Sequence, residues 1–121
     1  MSPKAVNPED HLPLNPVDFQ VLLVLIEGDS HGYGVVKEMR ARTGGQIDML
    51  PGNFYTVLQR LLRAGLLEDI GLDLEGNTPG RPRRLYRITK FGHRVAAAEA
   101  GRLRELVADA TVRGLVDKVG G

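Results

Sequence analysis

Arg81, Arg83, Arg84 and Arg87 place four guanidinium groups within seven residues of a 121-residue chain. A guanidinium stays charged at physiological pH and offers a planar fork of N–H donors that fits phosphate oxygens, so this density of arginine is anion-binding chemistry. Residues 51–64 supply a second set: Asn53, Thr56, Gln59, Arg60 and Arg63, with no carboxylate among them. Such groups form hydrogen bonds without repelling a polyanion. The charge distribution agrees. Residues 1–36 sum to −4, residues 37–74 balance five basic groups against five acidic ones, and residues 75–121 sum to +5. The whole chain carries only +1, and from charge alone the basic second half reads first as a solvated face and second as a surface for an anionic partner.

Other chemistries have no carriers. There is no cysteine, which removes disulfides, cysteine-based zinc sites and a thiol nucleophile. His11, His31 and His93 lack metal-ligand spacing. Ser2 and Ser30 are the only serines, and Ser30 reads as a helix cap rather than a nucleophile. The carboxylates are scattered, with no pairing that suggests acid–base catalysis. Gly76-Asn77-Thr78-Pro79-Gly80 is a turn and not a phosphate-binding loop, since no helix start follows it. No catalytic residue, metal or cofactor is expected, and the chain does not read as an enzyme. The longest apolar run, Val21 to Ile26, is too short to span a membrane. No export signal is evident, so a cytoplasmic location, nucleoid-associated when bound, is expected.

The elements that must position these groups follow from caps and periodicity. Residues 1–13, with Pro3, Pro8 and Pro13, read as a flexible tail. Leu14 to Ile26 suits either helix or buried strand, but Asn15 and Pro16 form a helix-start signal, so a helix is expected. Ser30 is taken as the cap of a second helix, His31 to Thr43, stopped by Gly44-Gly45. Pro51 opens a third helix that reaches about Ala64. At about 100° per residue, Phe54, Val57, Leu58, Leu61 and Leu62 share one side of it, while Thr56, Gln59, Arg60 and Arg63 share the other. Leu66 to Leu74 and Arg84 to Ile88 read as two strands around a turn, residues 75–83, with the arginines at its tip and on the returning arm. Thr89 caps a last helix running to about Val116. Such a helix spans about 40 Å at roughly 1.5 Å per residue, too long for residues 14–88 to cover.

Two helices on a short connection followed by a basic hairpin describe a winged helix-turn-helix, mainly α with a small β-hairpin. The domain reading is a tail at 1–13, a winged helix-turn-helix at 14–88, and a C-terminal dimerisation helix with a short tail at 89–121. Helix 51–64 would enter the major groove of double-stranded DNA, and the wing 75–84 would lie on the backbone or in the minor groove. The expected contacts are Asn53, Thr56, Gln59 and Arg60 on bases or phosphates, and Arg81, Arg83 and Arg84 on phosphates or in the minor groove. Tyr33, Lys37 and Tyr55 are further candidates. Tyr33 reads first as packing with its hydroxyl hydrogen-bonded, Lys37 equally as solvated, and Tyr55 first as a contact and second as an edge of the core. Arg87 is either a wing cation or the partner of Glu68 or Asp69. The expected dimer interface takes Leu14 and Val17 with Val95, Leu103, Leu106, Val107 and Ala110.

The strings His31-Gly32-Tyr33-Gly34, Leu50-Pro51-Gly52-Asn53-Phe54-Tyr55-Thr56-Val57-Leu58-Gln59-Arg60-Leu61 and Gly65-Leu66-Leu67 resemble the PadR family of bacterial transcriptional regulators. Gly80-Arg81-Pro82-Arg83-Arg84-Leu85-Tyr86-Arg87-Ile88-Thr89-Lys90-Phe91-Gly92 is similar to its wing and the start of its last helix. The short C-terminus resembles the subfamily with one C-terminal helix. The resemblance implies a homodimeric repressor on an inverted-repeat operator, released in some members by a small aromatic ligand near the dimer interface. An apolar or aromatic effector would then sit near Leu14, Val17, Phe19, Val95 and Leu103. Leu50 and Asn53 depart from the Ser or Thr that the family often carries there, and the chain has no tryptophan to stack on a flat drug. The rival reading is a winged-helix adaptor for an acidic protein partner, without specific DNA binding.

Overall fold

The computed structural model describes residues 7–73 and 83–117. Helix α1, Pro16–Ile26, begins as its sequence dictates: the Asn15 side chain accepts from the Val17 N–H at 2.8 Å, and Pro16 occupies the first turn, where no N–H is needed. The ambiguous run Val21 to Ile26 is therefore helical. It is buried almost all round, because α2, α3 and α4 each pack against it, so its sequence lacks the usual polar stripe.

The chain next forms a two-residue strand, β1, Ser30–His31, and enters helix α2, Gly32–Arg42. This corrects the expected capping. His31, not Ser30, precedes α2, and no side chain caps the helix. Ser30 and His31 are instead drawn into backbone pairing with Tyr86 and Leu85. Helix α3, Pro51–Arg63, follows, with Phe54, Val57, Leu58 and Leu61 buried as its periodicity predicts. Strands β2, Leu67–Asp73, and β3, Arg83–Ile88, form the antiparallel arms of the wing, and the sheet has three strands in the order β1-β3-β2. The pairing shifts register between Asp69 and Leu72, next to Gly71.

Helix α4, Lys90–Val112, starts at Thr89, whose hydroxyl oxygen accepts from the Gly92 N–H at 2.9 Å. It stops four residues before the expected Val116. Gly114 takes a left-handed conformation (φ +80°), and the N–H groups of Gly114 and Leu115 turn back onto the carbonyls of Thr111 and Ala110, a closure that glycine permits without steric cost. Val21, Leu22, Leu25, Val35, Met39, Leu61, Leu66 and Val95 form the dry centre where all four helices and the start of β2 meet.

The expected flexible tail is in part ordered. Pro8–His11 forms a 3-10 turn under an Asn7 cap, the His11 ring meets Phe91 edge-on at 5.2 Å, and Leu12 packs on the core. The tie to α4 is completed by Glu99. Its buried carboxylate accepts the Leu14 N–H at 3.4 Å and two Arg102 N–H groups at 2.7 Å each. The Arg102 hydrogen bonds hold this carboxyl below its ordinary range against burial, which pushes the other way. A carboxyl depressed in the folded state contributes stability in full above its unfolded pKa, and loses it as pH falls toward the folded value. The gap in unfolding free energy between wild type and Glu99→Gln should therefore shrink on acidification from about pH 7 to about pH 3. Urea unfolding across that range measures it, and a gap that stays constant would contradict the assignment.

Candidate nucleic-acid interface

The amphipathic division of α3 reserves its second face for solvent. Asn53 and Thr56 are exposed and Gln59 is half-buried. The Thr56 hydroxyl donates back to the Gly52 carbonyl at 3.4 Å, which leaves the lone pairs of its oxygen free to accept. Tyr55, Thr56, Gln59, Arg60 and Arg63 line a shallow recess of about 660 Å³. Helix α3 itself contributes no acid to this face.

A second, apolar cleft of about 540 Å³ lies between α2, α3 and β3. Val36, Met49, Phe54 and Leu58 contribute its apolar lining, and Tyr33, Lys37, Tyr55, Arg83 and Arg84 also border it. Tyr55 borders both depressions, so the two adjoin at its side chain. The Tyr33 ring, 62% exposed, is approached by two cations: Lys37 Nζ and Arg83 Cζ are each 5.7 Å from its centroid. Five of the residues singled out in the sequence, from α2, α3 and the wing, thus converge on one cleft. Tyr86, also in it, is raised above the usual phenol range, first by burial and then by the Asp69 carboxylate, and stays a protonated hydrogen-bond donor.

Ion pairing divides the arginines in a way the sequence does not reveal. Arg84 Nη1 donates to both Asp69 oxygens at 3.2 and 3.1 Å. Arg87 pairs with Asp29, at 3.1 and 2.9 Å, and not with Glu68 or Asp69, as had been expected if it paired at all. Arg60 is engaged by Asp18 of α1 through Nε at 3.0 Å and Nη2 at 2.5 Å. That carboxylate raises the arginine's already high pKa through hydrogen bonding, against a smaller opposing effect of burial. Lys37, Arg63 and Arg83 have no carboxylate partner among the described residues. Arg81 and the turn at 74–82 lie outside the described residues. His31 Nε2 reaches Asp73 Oδ2 at 2.9 Å and spans the sheet from β1 to β2, a link no local pattern announced. Among the described residues, no group of three or more His, Cys, Asp or Glu side chains could hold a metal ion. No helix of the described residues is long and apolar enough to cross a membrane.

The expected dimer residues split in two. Leu14 (9% exposed) and Val95 (0%) are packed into the chain's own core, so they are not part of an exposed partner surface as expected. Val17 is half-buried against that core. Leu103 and Ala110 are half-buried, and Leu106 and Val107 are about half exposed at 52% and 48%. Val112 (85%) and Leu115 (77%), which no local pattern marked, extend the apolar exposure to the end of α4 and just past it.

Comparison with known proteins gives this geometry a context. The profile described as "Transcriptional regulator PadR-like family" matches residues 21–98. A transcriptional regulator from Clostridium thermocellum is 26% identical and superposes with a TM-score of 0.66 over 84% of this chain and 90% of its own. A PadR family transcriptional regulator from Eggerthella lenta is 30% identical, with a TM-score of 0.56 over 81% and 82%. Bacillus subtilis PadR, crystallised in complex with operator DNA, shares the fold at 17% identity and a TM-score of 0.59. The match covers 71% of this chain and 47% of that one.

Proposed function

The chain belongs to the PadR-like family of transcriptional regulators, a family of regulators and not of enzymes, and from that premise we propose that it is a homodimeric repressor reading an inverted-repeat DNA operator. Helix α3 enters the major groove with Asn53, Thr56 and Gln59 at base edges. Tyr33, Lys37 and Arg83 meet the sugar–phosphate backbone beside it. The observation that carries this reading is that the acid-free face of α3 adjoins, at Tyr55, the cleft where Lys37 and Arg83, both without a carboxylate partner among the described residues, approach the Tyr33 ring. The complex of Bacillus subtilis PadR with operator DNA supports the same partner. Leu103, Leu106, Val107 and Ala110 of α4 seat the second copy. A helix of 23 residues spans roughly 35 Å, and its apolar stripe is left half exposed beyond Glu99. Two copies would set their α3 helices about one DNA turn apart.

Fluorescence anisotropy with a duplex from the protein's own upstream region, against a scrambled duplex across a salt series, tests the reading. Preference for the native duplex with a steep salt slope is expected. Equal, weak binding to every duplex, operator selections from genomic fragments included, would instead leave the adaptor reading. The same assay ranks the wing. Arg83→Ala should lower the salt slope by about one unit, the share of one phosphate contact. Arg84→Ala should lower it less, because Asp69 already neutralises that charge. Equal effects of the two would mean the Arg84–Asp69 pair opens on DNA.

A further inference from the structure

Asp18 lies on α1 at the third residue of the helix, away from every position the sequence marked for recognition, and yet it touches the reading helix. Its side chain is 8% exposed, whereas that of Arg60 is 47% exposed. The carboxylate takes the Nε and Nη2 edge of the guanidinium side-on, at 3.0 and 2.5 Å. This leaves the end-on edge, Nη1 and the outer N–H of Nη2, as a planar two-donor fork. Among the described residues, this is the ion pair that joins α3 to another element, and Arg60 also lines the recess with Thr56, Gln59 and Arg63.

Resting on the DNA-binding reading above, we propose that Asp18 is a positioning residue which presents the end-on fork of Arg60 to one guanine in each half-site. Two features favour a base over a phosphate. The pair is formally neutral, so it adds little to the attraction for a charged backbone. It keeps, however, two parallel donors at the spacing of guanine O6 and N7. A phosphate can also be met by a simple point charge such as a lysine, so a backbone contact does not by itself require a buried carboxylate to fix the plane of the guanidinium. The side-chain entropy that a free arginine loses on docking is lost here in folding, before DNA arrives.

Selection from a randomised duplex library gives the wild-type half-site, and 7-deazaguanine is then substituted at each selected guanine to remove N7. One such position should cost the wild type about five- to tenfold in affinity. Arg60→Lys keeps a cation beside Asp18 but not the fork, so that position should become indifferent while the salt slope holds. Asp18→Asn should weaken the same preference several-fold and leave the other positions unchanged. If Arg60→Lys retains the guanine preference, or Asp18→Asn matches the wild type at it, the positioning role is overturned with DNA binding intact. A wild type that selects no motif overturns the DNA-binding reading itself, and this proposal with it. Melting curves identify a variant that has merely unfolded, and Arg60→Lys then decides the outcome without any change at Asp18.

Discussion

Gly92→Ala lowers the unfolding free energy by about 3 kcal/mol or more, a large part of what a domain of this size holds. Helix propensity alone predicts the opposite sign, since alanine is favoured over glycine inside a helix by about 1 kcal/mol. The surroundings decide the balance. A Cβ at Gly92 would lie 2.1 Å from the Leu66 carbonyl oxygen and 2.9 Å from both the Leu66 carbonyl carbon and Ile88 Cγ1. Two of these atoms are backbone and cannot rotate away. The same carbonyl accepts the Thr89 N–H at 3.1 Å, and the Thr89 hydroxyl both donates to the Gly65 carbonyl at 2.6 Å and caps α4 at the Gly92 N–H. Pushing Leu66 aside would disturb the end of α3, the first residues of β2 and the start of α4 together. Urea unfolding of the variant is the check. A stability equal to or above the wild type would mean that this helix–loop approach is looser than described.

The second large effect concerns Arg60. Arg60→Ala leaves the Asp18 carboxylate buried without its partner. Breaking a buried pair by removing one member costs about 3–5 kcal/mol, and the half-exposed guanidinium admits water that reduces this to roughly 2 kcal/mol. Asp18→Asn combined with Arg60→Ala removes the stranded charge and should recover part of that loss. Thermal or urea melts of the two single variants and the double variant give the coupling energy directly. If the single-variant losses simply add, the two side chains do not interact in solution, and the positioning proposed for Asp18 loses its basis. Arg63→Ala, three residues and nearly one turn further along α3 and without a carboxylate among the described residues, serves as the control and should change stability little.

The features legible along the chain are those that short-range physics sets. The Asn15 and Thr89 caps, the proline starts of α1 and α3, and the apolar stripe of Phe54, Val57, Leu58 and Leu61 each depend on neighbours within a turn or two, and each stands in the structure. The wing was legible as two strands around a turn, and the acid-free face of α3 as a polar surface. The family resemblance lay in the same local strings. Tertiary structure decided the rest because its partners are remote in the chain. Leu14 meets Glu99 across 85 residues, Arg87 meets Asp29 across 58, and Arg60 meets Asp18 across 42. Charge type predicts that an arginine will find an anion, but not whether that anion is a phosphate or a carboxylate of its own chain. Packing also took Leu14 and Val95 into the core and drew Ser30 and His31 into the sheet, because only the assembled fold sets which apolar faces and strand edges are already covered.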